Sequence, residues 1–328
     1  MPVIDVHTHM LSKPWLADIR SYGAPKYGVK PTRAGQDSVY MGGAPFVTLF
    51  PEMFDYDLRI ANMDKAGVDV AIVSLTCPSV YWGGEIVSTR VAREMNAHMA
   101  YQQEIFPDRI RFFASLPWQY PASAVTALKE AVAQGAVGVF VSANIDGKSL
   151  TSPDFAQIWK AIDELALPVL VHPTAPQGAK EMEMHEYGLV PPVGFMFDTT
   201  LAISRMVFDG FLDRYPNLGI IAAHGGATLP YLAGRLDRCY EQIPACSEVI
   251  KEKPSEYLKR LYYDAVVYEQ DALELCIKVA GGAERVMYGS DYPHNIGDMA
   301  GCLSRVNALD GATAATIKGE TATKLFKL

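Results

Sequence analysis

Eight short runs rich in β-branched and aromatic residues recur along the chain, and amphipathic stretches of helical length separate most of them. The runs are VIDVHTH, VDVAIVS, IRFFASLP, VGVFVSAN, LPVLVHP, LGIIAAHGG, LYYDAVV and RVMYGSDYP. Strands that alternate with helices pair in parallel through right-handed crossovers. Eight such units in 328 residues predict a closed (β/α)8 TIM barrel, with residues 1–328 as one α/β domain. An open doubly wound sheet is the alternative, but no GxGxxG follows the first run to support a dinucleotide site.

Helical periodicity and loop length complete this architecture. Predicted helices cover residues 85–103, 121–134, 152–165, 201–215, 229–241 and 271–280, with a final helix at 311–328. Two connecting segments are longer than simple loops: residues 11–56, an insertion after the first strand, and residues 174–199, after the fifth. Long loops in compact domains tend to be lids or binding loops, so we expect both on the catalytic face of the barrel.

Charge and composition exclude several classes of partner. The net charge of -8 is spread along the chain and forms no basic stripe, so nucleic acid is not an expected partner. No apolar run approaches the roughly 20 residues of a membrane span, and the apolar start has no cationic segment before it. We therefore expect a cytoplasmic protein without membrane partners. The five cysteines are scattered without a CxxC pair, which predicts neither a disulfide framework nor a zinc-thiolate site.

Ionisable residues fall at the ends of four predicted strands. His7 and His9 end the first strand, His172 the fifth, His224 the sixth and Asp291 the eighth. Each has a structural explanation when taken alone, such as a core histidine or a helix N-cap. Their joint placement at the catalytic end of a barrel instead favours a metal site, since imidazole and carboxylate suit Zn²⁺ and similar ions.

Two roles can be assigned within this set. Ligation by His7, His9, His172 and Asp291 leaves His224 as a general acid or base. His294 falls three residues after Asp291 on the same face, and the sequence leaves it between a substrate contact and simple loop polarity.

The motifs HTH, VHP, AHGG and GSDYP, in this order and separation, resemble the amidohydrolase superfamily. The likeness is to the metal-dependent decarboxylase branch typified by aminocarboxymuconate-semialdehyde decarboxylase. It extends through LRIANMDKAGVDVAIVS, HGGATLPYLAGRLDR and RVMYGSDYP, and so covers nearly the whole chain.

The resemblance implies one divalent ion, usually zinc with manganese as the alternative, and no organic cofactor. It implies His7, His9, His172 and Asp291 as ligands and His224 as the acid or base. An arginine eleven residues after that histidine, here Arg235, reaches the substrate of the neighbouring subunit, so a homodimer is implied.

Two positions depart from the pattern of these relatives. Alignment on Arg59 and Ile60 places Val47 where the relatives carry a substrate-carboxylate arginine. His294 replaces the phenylalanine of their GSDYPF motif. Both changes put the aminocarboxymuconate substrate itself in doubt.

The leading functional hypothesis is non-oxidative decarboxylation of an aromatic or muconate-type carboxylic acid, in which His224 or Asp291 moves the proton and Arg235 pairs with a carboxylate. The alternative is a metal-dependent hydrolase acting on a C–C bond, amide or lactone, or a hydratase, because the fold does not fix the reaction. A non-catalytic metal-binding scaffold is a third class. The expected lining of the substrate pocket is Phe46, Tyr81, Trp82, Tyr187, Phe195 and His294.

Overall fold

A computed structural model describes residues 1–328, and a sheet of eight parallel strands forms its centre. The strands follow one another around the sheet in chain order, each paired with the next. Barrel strands one to eight are Ile4–His9, Val70–Ser74, Ile110–Ala114, Gly138–Ser142, Pro168–His172, Gly219–Ala222, Tyr262–Asp264 and Val286–Met287. The predicted parallel order is confirmed, although the last two strands are shorter than their sequence runs.

Hydrogen bonds between the first strand and the segment around the eighth close the sheet into a barrel. Val6 N donates to Tyr288 O at 3.0 Å, and Asp291 N donates to His7 O at 2.8 Å. A parallel bridge between Thr8 and Tyr292 continues this seam. The predicted (β/α)8 TIM barrel is therefore confirmed.

Helices surround the barrel. The α-helices are Lys13–Tyr22, Tyr56–Ala66, Gly84–Ile105, Pro121–Ala133, Ala156–Glu164, Phe195–Phe208, Phe211–Arg214, Leu229–Gln242, Pro254–Leu258, Gln270–Ala280, Met299–Asn307, Gly311–Ala315 and Thr321–Phe326, and Ala223–Gly226 forms a tight helical turn. The helix predicted at 201–215 begins earlier, at Phe195, and is interrupted at Gly210, whose φ of 66° lies in the left-handed region. None of the helices is both long enough and apolar enough to cross a bilayer.

The insertion after the first strand has its own sheet. It contains the antiparallel strands Tyr27–Pro31, Asp37–Met41 and Ala44–Thr48. Gly42 and Gly43 connect the last two with φ values of 57° and 91°, as a two-residue hairpin turn with positive φ requires. The sequence prediction of a lid loop missed this sheet, although two glycines between two β-rich runs are a recognised hairpin signal.

A β-bulge in the first strand sets the direction of its histidines. Asp5 pairs with Ala71 but Thr8 pairs with Val73, so the first strand has one extra residue. Without the bulge, Val6 and His7 would point to opposite faces. Val6 instead belongs to the eleven-residue cluster that fills the barrel interior, while His7 lies above it among the other histidines. The helix Thr321–Phe326 supplies two members of that cluster.

Candidate metal centre

Four histidines and one aspartate meet at the carboxyl ends of barrel strands one, five, six and eight. They are His7, His9, His172, His224 and Asp291, and all are at least nine-tenths buried. The ring centroid of His7 lies 5.1 Å from those of His9 and His172 and 4.9 Å from that of His224. The structure thus brings together the five residues that the sequence analysis placed at the ends of strands.

The carboxylate of Asp291 is shared by three imidazoles. Its Oδ1 lies 3.1 Å from His9 Nε2 and 3.3 Å from His7 Nε2. Its Oδ2 lies 3.5 Å from His224 Nε2. Single donor atoms of His7, His172, His224 and Asp291 all lie within 4.8 Å of one another, a span that one cation with bonds of about 2 Å can bridge.

His9 belongs to a second, overlapping group. Donor atoms of His9, Asp291 and His294 also lie within 4.8 Å of one another. The geometry therefore offers six donor residues, Asp291 and five histidines, which is more than the four residues predicted as ligands. Both His9 and His224 are placed to approach a cation beside Asp291, as is His294.

A buried carboxylate that the sequence analysis missed, Asp264, orients His7. Asp264 Oδ2 lies 2.6 Å from His7 Nδ1, so the proton on His7 Nδ1 is donated to this carboxylate. The lone pair of His7 Nε2 then points toward Asp291. Such carboxylate–histidine pairs fix the ring orientation of metal ligands and increase their basicity.

Hydrogen bonds also set the orientation of the two other histidines proposed as ligands. His9 Nδ1 lies 3.0 Å from Ser74 Oγ, whose hydroxyl can donate to Thr8 O at 3.4 Å. His172 Nδ1 donates to Pro173 O at 2.8 Å. In each ring the proton sits on Nδ1, which leaves Nε2 free to bind a metal ion.

The charge balance of the cluster fits a cation. His7 Nε2 is fully enclosed and makes no hydrogen bond, although an anionic oxygen lies 3.3 Å away. Burial disfavours a charged His7, but the carboxylates of Asp264 and Asp291 outweigh burial and raise the pKa of His7 to about 10. Burial holds the pKa of His9 down at about 3, which keeps that ring in the neutral, ligating form. The two carboxylates thus favour positive charge at this point, and a divalent ion held by neutral imidazoles would satisfy that requirement.

His224 is held in a strained turn just after strand six. Its backbone has φ 57° and ψ 50°, in the left-handed region that a residue with a side chain seldom adopts. Asp264 stabilises the turn, because Oδ2 accepts from His224 N and Oδ1 from Gly225 N, both at 3.0 Å. One carboxylate therefore positions both a proposed ligand and the proposed acid or base.

Arg59, fully buried, secures the end of the first strand. It donates to Thr8 Oγ1 at 2.7 Å and to His9 O at 2.6 Å, and its guanidinium lies 4.7 Å from the centre of the Tyr292 ring. Asn62, on the same helix, donates to Tyr292 OH at 2.8 Å. This helix therefore fixes both the strand that carries the HxH pair and the loop that carries Asp291.

A cavity of about 170 Å³ opens beside the cluster. A cavity of about 150 Å³ is enough to hold benzene, so this space accommodates one aromatic ring. The residues around it come from the cluster, the insertion hairpin, the loop after strand five and the loop after Asp291. They are Pro45, Phe46, Val47, Thr48, Cys77, His172, Gly188, Pro191, Phe195, His224, Asp291, His294, Asn295 and Ile296.

The other predicted site residues are placed differently. Phe46 and His294 line the cavity. Trp82 is buried, with its Nε1 donating to Ser79 O at 3.0 Å, and the structure does not bring it into the lining. Arg235 is exposed on the helix Leu229–Gln242 and makes no hydrogen bond or ion pair within this chain. Burial raises the pKa of Cys77 to about 12, so its thiol stays protonated and is not a thiolate nucleophile.

These features define a class of protein: a (β/α)8 barrel enzyme whose strand-end histidines and aspartate can hold one divalent ion. A family model described as amidohydrolase matches residues 4–328. The chain therefore belongs to the amidohydrolase family.

Known relatives refine this assignment. The 2-amino-3-carboxymuconate-6-semialdehyde decarboxylase of Dictyostelium discoideum is 30% identical over 304 residues, which span 90% of this chain and 83% of the relative. The crystal structure of 5-carboxyvanillate decarboxylase from Sphingomonas paucimobilis matches with a TM-score of 0.86 at 25% identity, over 100% of this chain and 99% of that one.

A third relative was crystallised with a metal ion. The dihydroxybenzoic acid decarboxylase from Polaromonas sp. JS666, with bound manganese and the inhibitor 2-nitroresorcinol, matches with a TM-score of 0.82 at 24% identity, over 100% of this chain and 97% of that one. The predicted class, a metal-dependent carboxy-lyase of the amidohydrolase superfamily, is confirmed by the decarboxylase relatives.

Proposed function

We propose that this chain catalyses the non-oxidative decarboxylation of an aromatic carboxylic acid with the help of one divalent ion. The observation that carries this proposal is the opening of the histidine–aspartate cluster into a cavity the size of one ring. Phe46 and Phe195 form an edge-to-face pair on the wall, with ring centroids 6.1 Å apart. Aromatic walls of this kind suit a flat, apolar substrate body with its polar group at the metal.

The charges around the cavity favour a monocarboxylic acid. None of the 14 lining residues is lysine or arginine. Val47, the residue at the position of the relatives' substrate-carboxylate arginine, is among them. If the metal ion and an Arg235 from the neighbouring subunit serve the reacting carboxylate, a second carboxylate would find no further cation and would lose its hydration. We therefore favour a hydroxybenzoate-type acid over a muconate-type dicarboxylate.

His7, His9, His172 and Asp291 are the ligands we propose, with zinc as the first candidate and manganese as the alternative. Neutral imidazole and carboxylate donors serve both metals. When bound, the ion supplies positive charge that stabilises the negative charge developing on the substrate.

His224 and Asp291 are the two groups placed to move the proton. The reaction breaks the bond between the ring carbon and its carboxylate; the electron pair stays on the ring carbon, which takes up a proton as CO₂ leaves. His224 Nε2 and Asp291 Oδ2 lie 3.5 Å apart, so the carboxylate can hold the imidazole toward the cavity. General acid–base groups of this kind typically contribute about 10²- to 10⁴-fold in rate.

Two segments should set the specificity within what we propose is one domain spanning residues 1–328. Residues 11–56 supply Phe46 and Val47 to the cavity wall, and residues 174–199 supply Pro191 and Phe195. Lid-like segments that carry apolar side chains exclude water from the reacting carbon. No organic cofactor is required for this chemistry.

We further propose a homodimer in which Arg235 enters the neighbouring active site. Arg235 lacks a partner within the chain, and Tyr231, one turn earlier on the same helix, is 83% exposed. A guanidinium can bind a carboxylate through two parallel hydrogen bonds. Mixing inactive Arg235→Ala and His224→Ala subunits should restore part of the activity, because one site of the mixed dimer is then intact. A cytoplasmic location stays a prediction.

The decisive experiment measures metal content and CO₂ release on the same preparation. Metal-replete protein is assayed against a panel of hydroxybenzoates and muconate semialdehydes, with His224→Ala as the test variant and His98→Ala as a control imidazole outside the cavity. We expect about one metal ion per chain, CO₂ release by wild type and His98→Ala, and its loss in His224→Ala. A product that gains water without releasing CO₂ would instead establish the hydrolase or hydratase alternative.

A further inference from the structure

His294 adds an imidazole to the lining of the cavity. Its ring centroid lies 4.9 Å from that of His9, and it lines the same cavity as His224 and Asp291. Phe46 and Phe195 supply apolar surface to the same cavity.

Thr76 fixes the state of the His294 ring. His294 Nε2 lies 3.0 Å from Thr76 Oγ1, and this threonine is fully buried. The Thr76 hydroxyl is directed at Cys77 Sγ, 3.9 Å away, to which it can donate. Thr76 Oγ1 then accepts a hydrogen bond from His294 Nε2–H, and His294 Nδ1 carries the lone pair.

The Nδ1 atom is left without a partner in the protein. It makes no hydrogen bond within the chain and retains accessible surface. The backbone around it is held in place, because His294 N donates to Asp291 O at 3.1 Å and Gly297 N donates to His294 O at 2.9 Å. His294 therefore offers a hydrogen-bond acceptor on a residue that lines the cavity.

We propose that His294, held by Thr76, is a specificity-determining residue that accepts a hydrogen bond from a hydroxyl or amino group on the substrate ring. This inference rests on the proposed decarboxylase function and narrows its substrate to aromatic acids that carry a ring donor. A site built to bind such a donor discriminates against analogues that lack it, because its own polar atom is then left unpaired.

The test compares ring donors with their methylated analogues. Hydroxybenzoates and the matching methoxybenzoates are assayed with wild type, His294→Phe and Thr76→Val, and with His98→Phe as the same exchange outside the cavity. We expect wild type and His98→Phe to prefer the hydroxy acid by about 10- to 100-fold in kcat/KM. His294→Phe should lose most of this preference while still turning over the methoxy acid, and Thr76→Val should weaken it, because the ring is no longer held in one orientation.

Binding measurements separate this inference from the decarboxylase proposal. Calorimetry on metal-replete protein compares nitrophenol isomers with nitroanisole isomers, which need no turnover to report the ring contact. A hydroxyl preference that His294→Phe abolishes would support the inference even if no acid released CO₂. The inference is overturned if the preference is the same in wild type and His294→Phe, or if His294→Phe lowers the metal content, since His294 would then be a ligand.

Discussion

Replacing Asp264 by asparagine tests the central relationship of the metal site. The carboxylate accepts from His7 Nδ1 at 2.6 Å and from the backbone N–H groups of His224, Gly225 and Val266, each at 3.0 Å. An amide has almost the same shape but carries one oxygen and no charge. If the NH₂ faces His7, it donates to Nδ1 and moves the ring proton to Nε2, where it blocks metal binding. The same NH₂ would also lie opposite the backbone N–H of His224, so two hydrogen-bond donors would face each other without an acceptor.

The expected size of the effect follows from these contacts. Loss of a residue that supports a metal ligand typically lowers metal affinity by about 10- to 100-fold, which corresponds to roughly 1.4–2.7 kcal/mol. Asp264 supports His224 as well as His7, so we expect Asp264→Asn near the upper end of this range. CO₂ release should fall further than metal occupancy alone explains, because the proton-moving imidazole is also displaced.

Competition with a chelating dye measures the affinity, and elemental analysis measures the metal content. Asp198→Asn is the matched control, since Asp198 is a buried carboxylate that accepts from Thr174 N at 2.9 Å and Asn144 Nδ2 at 2.8 Å and touches none of the clustered histidines. An Asp264→Asn protein that binds metal within about twofold of both wild type and the control would refute the reasoning.

Three further predictions concern stability and the metal. Arg59→Lys should lower the free energy of unfolding of the metal-free protein by roughly 1–3 kcal/mol in urea titrations, because one ammonium cannot replace the guanidinium's contacts with Thr8, His9 and Tyr292; a loss below about 0.5 kcal/mol would contradict this. Removal of the metal by a chelator should abolish CO₂ release and lower Tm, with both restored by the ion; unchanged Tm and activity would mean that no metal had been bound. Burial raises the pKa of the Asp198 carboxyl from 3.8 to about 6, so the free energy of unfolding of wild type falls as pH rises between these values. Asp198→Asn has no such carboxyl, and its free energy of unfolding relative to wild type should rise by up to roughly 3 kcal/mol across this window. A relative gain that shrinks as pH rises would be inconsistent with the prediction.

The sequence could predict the cluster because parallel strands end at one face of a barrel. The positions of His172, His224 and Asp291 relative to their strands were enough to place them together, and the HTH pattern placed His7 and His9 beside them. The β-bulge that turns both histidines inward could not be predicted, because it depends on the register between the first and second strands.

Supporting residues were harder to find, because their roles depend on contacts between distant segments. In LYYDAVV, Asp264 has the pattern of any polar residue near a strand end, and only the closed barrel brings it to His7. Arg59 has the sequence pattern of an exposed helical residue but is fully buried, since its helix packs over the seam between the first and last strands. Trp82 was predicted to line the pocket because it follows the second strand closely. Its Nε1 instead donates to the backbone oxygen of Ser79, within the same turn.

The closure of the barrel between its first and last strands has a consequence for biosynthesis. Domains emerge from the ribosome with their N-terminal end first, at about 5–20 residues per second. His7 and His9 are made more than 250 residues before Asp264 and Asp291, which orient His7 and complete the cluster. A nascent chain that lacks the segment around Asp291 therefore cannot assemble the cluster, and a metal ion could bind in the proposed geometry only after that segment has been made. The pairing of the first strand with the segment around the eighth is thus the folding step that completes the donor set.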